Sequence, residues 1–154
     1  MKFHTHRNGS VKVGDFGISK DLNHTLDKAN TCVGTPCYLS PELCQDIPYS
    51  FKSDVWALGC LVFELCALKP AFDAHNLISL FHKIVNCKHT PLPDSCSLGL
   101  RSFICDVLVP DPDRRPSAAS LLRYPVLKPY IDHVDDKTLL AGAAVKVGCW
   151  YLLF

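Results

Sequence analysis

The feature that most constrains this chain is the run DVWALGCLVFELCALK at 54–69, which is apolar on nearly every face and stops before Pro70. Val55, Trp56, Leu58, Cys60, Leu61, Val62, Phe63, Leu65 and Cys66 leave no polar side wide enough to face water. A helix that is hydrophobic all round belongs at the centre of a fold. The run therefore predicts a central helix over 54–68, with the remaining elements packed around it. Its one early acid, Asp54, lies where the helix macrodipole favours a negative charge.

Weaker periodic segments surround it. Leu77, Leu80, Phe81, Ile84 and Val85 predict a helix over 76–86, and Leu98, Leu100, Phe103, Ile104, Val107 and Leu108 predict another over 97–109. Pro91 and Pro93 separate the two, and 110–116, PDPDRRP, reads as a turn. Ser117 suits the N-cap of a short helix through Arg123, and a final surface helix is expected at 132–140. Upstream, SVKVG at 10–14 alternates as a short strand does. Residues 19–41 are polar, carry Gly34 and Pro36, and show no period. A loop of that length inside a compact domain is usually functional or mobile. The pattern is mainly α, with one short strand at the start.

Composition narrows the function classes. A chain of 154 residues that is 48% hydrophobic and 20% charged suits one globular domain. A formal net charge of +1, with no Lys/Arg stripe, gives no electrostatic case for nucleic acid. No apolar leader opens the chain, and the apolar stretch 141–154, interrupted by Lys146, is too short to span a bilayer. The nine cysteines are odd in number and form no CxxC pair; Cys60, Cys66 and Cys105 sit inside apolar helical runs. They read as reduced thiols acting as small hydrophobes, with a disulfide framework as the weaker alternative. His4 and His6 have no companion ligands at zinc spacing.

An ordered set of short motifs carries the chemistry. Asp15-Phe16-Gly17 is followed by Gly34-Thr35-Pro36, then Ser40-Pro41-Glu42, then SDVWALG at 53–59, then DRRPS at 113–117. Their order and spacing resemble the second half of a protein kinase domain. VGDFGISKDLN, TCVGTPCYLSPELCQ and PYSFKSDVWALGCLVFELCALK are similar to the NIMA-related (Nek) serine/threonine kinases, over about 10–140. The resemblance implies the C-terminal lobe of the protein-kinase-like fold, a short β-strand before the DFG loop and then helices. It divides the chain into an unassigned remnant at 1–9, a partial kinase domain at 10–131, and a flank at 132–154 whose end, GCWYLLF, reads as aberrant or disordered.

The same resemblance assigns roles. Asp15 would ligate the magnesium that bridges the ATP phosphates, since magnesium takes hard oxygen ligands. Read alone, it is a plain Asp-x-Gly turn. Phe16 and Gly17 would form the DFG switch. Thr31 is the expected activation-loop phosphosite, with Ser19 and Thr25 as weaker candidates; an ordinary loop threonine is its bland alternative. Gly34, Thr35 and Pro36 would face the protein substrate. Glu42 and Arg115 would form a buried ion pair, and Asp54 would accept backbone N–H groups of a catalytic loop. Trp56 reads as core.

Other parts of that family's site are missing from the sequence. It has no Gly-rich loop, no strand lysine, no HRD catalytic loop and therefore no catalytic Asp. The expectation is a kinase-derived chain that is inactive alone and binds Mg and ATP weakly or not at all. The alternatives are a non-catalytic module binding substrates or other kinases, and an enzyme completed in trans. No nucleic-acid or membrane partner is expected. Exposed core surface predicts self-association and marginal stability. The expected location is cytoplasmic, extended by the resemblance to centrosome, cilium or nucleus.

Overall fold

The computed structural model describes residues 2–5, 11–14 and 36–131. Two strands, β1 (Lys2–Thr5) and β2 (Val11–Gly14), pair antiparallel with Lys2 opposite Gly14 and Thr5 opposite Val11. The strand expected at 10–14 is present. Its partner KFHT was not anticipated, because four residues with a single clearly apolar side chain give no alternation to read.

From 36 onward the described chain is helical. A 3-10 turn, Pro36–Tyr38, leads through Ser40 into the one-turn helix α1, Pro41–Cys44. Pro41 stands in the first turn, where its missing N–H removes no helical bond. The long helix α2 runs Phe51–Ala67. It starts three residues before the apolar run because the N-cap lies further out: Ser50 Oγ accepts the Lys52 N–H (3.2 Å) and Ser53 Oγ accepts the Ser50 N–H (3.3 Å). It ends at Leu68, in the left-handed region at φ 54°, whose N–H returns to the Glu64 carbonyl (2.7 Å).

Helix α3, Leu77–Val85, begins at Asn76, whose side chain accepts the Ser79 N–H (2.8 Å). Helix α4, Leu98–Val107, begins at Ser97, which accepts the Leu100 N–H (3.3 Å). A second 3-10 turn, Pro112–Arg114, precedes α5, Ala118–Leu121, capped by Ser117. A last turn, α6, spans Lys128–Ile131 and lacked a sequence signal, since it is short and contains Pro129. The helix expected at 132–140 lies outside the described residues.

The core forms where α2 meets its neighbours. Val55, Trp56, Cys60, Leu61 and Phe63 of α2 are buried, with Phe103, Ile104 and Val107 from α4, Leu108 just after it, and Leu80 and Ile84 from α3. Each fully buried large side chain contributes about 1.5–3 kcal/mol. The Phe72 ring stacks on Trp56 at 5.5 Å, and His89 stands edge-on to Phe63 at 5.4 Å. Helices α2 and α4 touch at Gly59, where a Cβ would fall 2.6 Å from Val107 Cγ1. Helix α2 is not buried on all sides, however: Leu65 is 61% and Phe51 64% exposed.

Candidate functional site

The best-built polar constellation lies between α1, the start of α2 and the turn after Pro112. Glu42 sits on α1, where an acid in the first turn is favoured. Arg115 follows the 112–114 turn, and its side chain is 0% exposed. Arg115 Nη1 and Nη2 reach Glu42 Oε1 (2.9 Å) and Oε2 (2.7 Å) as a two-pronged ion pair. The remaining guanidinium donors bond the carbonyls of Val109 (2.7 Å), Lys52 (2.9 Å) and Pro110 (2.8 Å). All five N–H donors of an arginine are thereby used. The guanidinium also lies 5.0 Å from the centre of the Trp56 ring.

Two residues that sequence reasoning passed over complete this cluster. Ser53 donates its hydroxyl to Glu42 Oε1 (2.6 Å), and Lys52 Nζ donates to the Arg115 carbonyl. Ser53 opens the SDVWALG motif and Lys52 directly precedes it, and that adjacency to Asp54 was the available signal. Burial pushes the Glu42 carboxyl up, but the Arg115 and Ser53 hydrogen bonds outweigh it and lower its pKa to about 2.

Asp54, one turn into α2, is placed differently. Its Oδ1 accepts the Tyr49 hydroxyl, and its buried Oδ2 has no hydrogen-bond partner among the described residues. Burial raises its pKa to about 6, against the Tyr49 hydrogen bond, which lowers it. The catalytic-loop N–H groups that the resemblance gives Asp54 belong to a motif the sequence lacks; Tyr49 supplies a hydroxyl, from a position before the helix where no periodicity reveals it. Ser40 Oγ and Trp56 Nε1 are also buried without a partner among the described residues.

Pro36 opens the turn that leads into α1. Next to it, Cys37 is buried, and its thiol pKa is raised by that burial and by the charges of Asp73 and Glu64. Tyr38 donates its hydroxyl to Glu64 Oε2, and burial with that bond raises the phenol. The turn is thus pinned to α2. Asp15, Phe16, Gly17, Thr31, Gly34 and Thr35 lie outside the described residues. Among the described residues no three His, Cys, Asp or Glu side chains cluster as a metal site, and no helix is long and apolar enough to cross a membrane.

Comparison with known sequences decides what this arrangement descends from. The family model described as "Protein kinase domain" matches residues 3–127, from within β1 to the end of the segment before α6. The chain belongs to the protein kinase domain family. Its relatives are of Nek type. Serine/threonine-protein kinase Nek1 of Mus musculus is 43% identical over 135 residues, covering 88% of this chain and 11% of the relative. Serine/threonine-protein kinase Nek5 of Homo sapiens is 46% identical over 123 residues, 79% of this chain and 17% of that protein. The G2-specific protein kinase nimA of Emericella nidulans is 47% identical over 119 residues, 77% and 17%. The kinase chain therefore spans under a fifth of the length of each of these relatives, and it carries part of a Nek-type serine/threonine kinase domain. The helical body from 36 to 131 is the mainly α part of that domain.

Proposed function

We propose that this chain supplies the substrate-facing side of a serine/threonine kinase, and that its 154 residues do not transfer phosphate by themselves. The observation that supports the reading is the Glu42–Arg115 pair, which anchors the segment entering α1 to α2 and to the turn after Pro112. Pro36 opens the turn that leads into that anchored segment, and Gly34 and Thr35 precede it in sequence, so these three are the residues proposed to meet a protein substrate. The family reaction moves the terminal phosphoryl group of ATP to a Ser or Thr hydroxyl, and it rests on positioning and charge neutralisation. The residues for a phosphate clamp and for a base near the hydroxyl are not in the sequence.

Asp15 is the residue proposed for magnesium, and Thr31 the one proposed for activating phosphorylation. A lone carboxylate neutralises little of the charge on ATP, so binding of Mg and ATP is expected to be weak. Incubation of the purified chain with labelled ATP, magnesium and casein is expected to give no incorporation above a protein-free control. Incorporation abolished by Asp15→Ala would overturn the reading.

A second reading, a non-catalytic docking module for other kinases, draws on Leu68, Ile78 and Leu98, which are 90%, 84% and 85% exposed. Retention of a full-length Nek-type kinase on the immobilised chain, weakened by Ile78→Ser, would favour it. Sedimentation velocity reads the self-association that exposed apolar side chains predict. The proposed location is cytoplasmic.

A further inference from the structure

Helix α2 is packed unevenly around its axis. Trp56, Gly59, Cys60 and Phe63 recur at three and four residues and are buried, with Gly59 against Val107 of α4. Phe51, Asp54, Leu58, Val62 and Leu65 recur in the same way on the opposite side, over most of the helix. There Phe51 and Leu65 are exposed, and Leu58 and Val62 are only partly buried. The stripe is apolar but for Asp54, whose buried Oδ2 has no hydrogen-bond partner among the described residues. A helix of 17 residues is about 25 Å long, so the open face can seat a second segment along its length. Apolar surface of that extent in water favours whatever covers it.

The chain outside the described residues contains one stretch suited to that face. Residues 141–154, AGAAVKVGCWYLLF, carry Val145, Val147, Trp150, Leu152, Leu153 and Phe154 and no acidic side chain. Their single charged side chain, Lys146, is opposite in sign to Asp54. Residues 15–35 bring Asp15, Asp21 and Asp27, which would set like charge against Asp54. Reach also favours 141–154. Helix α6 ends at Ile131, and the ten residues from there to 141 span up to about 33 Å, against a radius of gyration of about 13 Å for a body of this size. A tether of that length holds the segment at an effective concentration on the order of 1 mM. A second copy of the chain, far more dilute in solution, competes poorly with it.

We propose that 141–154 folds back and seats its apolar side chains along the face of α2 formed by Phe51, Leu58, Val62 and Leu65, covering it in cis. A partner helix that uses this face must first displace the segment, so 141–154 sets the threshold for docking there. The inference rests on the packing of α2 and is independent of whether the chain transfers phosphate.

The chain has two tryptophans, and Trp56 is fully buried, so the emission of the full chain less that of Trp150→Phe isolates Trp150. The test records this difference, with acrylamide quenching, on the full chain sedimenting as a monomer. The expected result is Trp150 emission to the blue of the free peptide 141–154, with a lower quenching constant. Leu65→Lys, at an exposed position on the proposed seat, is expected to return both to the free-peptide values. Leu98→Lys, exposed on α4, which packs against the other side of α2, is expected to leave them unchanged. Emission and quenching equal to those of the peptide overturn the proposal. So does protection that Leu65→Lys leaves intact or that Leu98→Lys removes, since the segment then sits elsewhere. Protection that appears only as protein concentration rises overturns it too, because the cover then comes from a second copy. If Leu65→Lys does not fold, Phe51→Lys at the other end of the face gives the same reading.

Discussion

Glu42 and Asp54 are both buried-side acids at helix starts, but Glu42 accepts two hydrogen bonds from Arg115 and one from Ser53, whereas Asp54 accepts one from Tyr49. Burial pushes both carboxyls the same way, upward. The partners then separate them, to about 2 for Glu42 and about 6 for Asp54. The pair shows that depth alone does not decide whether a buried acid supports a fold. A cation with matching geometry and a full set of donors does, and a single phenol falls short.

The comparison breaks most visibly at Arg115. Arg115→Ala leaves Glu42 buried without its cation and removes three carbonyl contacts, so urea unfolding at pH 7 is expected to show a loss of about 3–5 kcal/mol. Next comes pH. The Glu42 contribution is present above its ordinary 4.5 and is lost as pH falls towards about 2. Asp54 runs the other way. Its carboxyl is raised from 3.8 to about 6, so stability is gained as pH falls through that window and lost as pH rises across it. Thermal unfolding across pH is thus expected to show greatest stability near pH 4–5, between these values. Glu42→Gln should flatten the acid limb and Asp54→Asn the limb towards neutrality. A neutral-side fall that persists in Asp54→Asn would mean another group causes it.

Smaller effects sharpen the contrast. Asp54→Asn keeps an acceptor for Tyr49 and removes the poorly compensated charge. At pH 7 it is expected to stabilise by about 1 kcal/mol, a two-unit shift discounted for partial solvent access. Tyr49→Phe takes away the one hydrogen bond Asp54 receives. It is expected to cost about 0.5–1 kcal/mol at pH 7 and to move the neutral limb to higher pH, as read by the same melts.

The helices were legible because their signals are local. The all-round apolar run placed α2, three-four spacing placed α3 and α4, and Ser117 marked α5. The misses have local causes too. The first turn of α2, FKS, is fixed by hydroxyl caps rather than apolar spacing. Strand β1 and helix α6 are too short to carry a period. At the site, motif resemblance joined Glu42 to Arg115 across 73 residues, a distance no periodicity bridges, and the two side chains are in contact. The carbonyls of Lys52, Val109 and Pro110 that hold the rest of Arg115 were invisible, because a backbone oxygen has no signature in a residue's identity. Tyr49 was missed for a related reason, since it acts from outside the helix it serves.

Ser53 gives the cap of α2 a wider meaning. Its single proton points to Glu42 (2.6 Å), which leaves its lone pairs to receive the Ser50 N–H (3.3 Å). The bonds from Ser50 through Ser53 to Glu42 therefore run in one sense, like a wire with a polarity, and each donor strengthens the next. Reversing the hydroxyl would leave an N–H facing a proton at one end and a carboxylate facing a lone pair at the other. The beginning of α2 and the Glu42–Arg115 anchor of α1 thus share one oxygen atom. Of the coded amino acids only threonine also carries a hydroxyl on Cβ, so at this position chemistry leaves the chain a vocabulary of two.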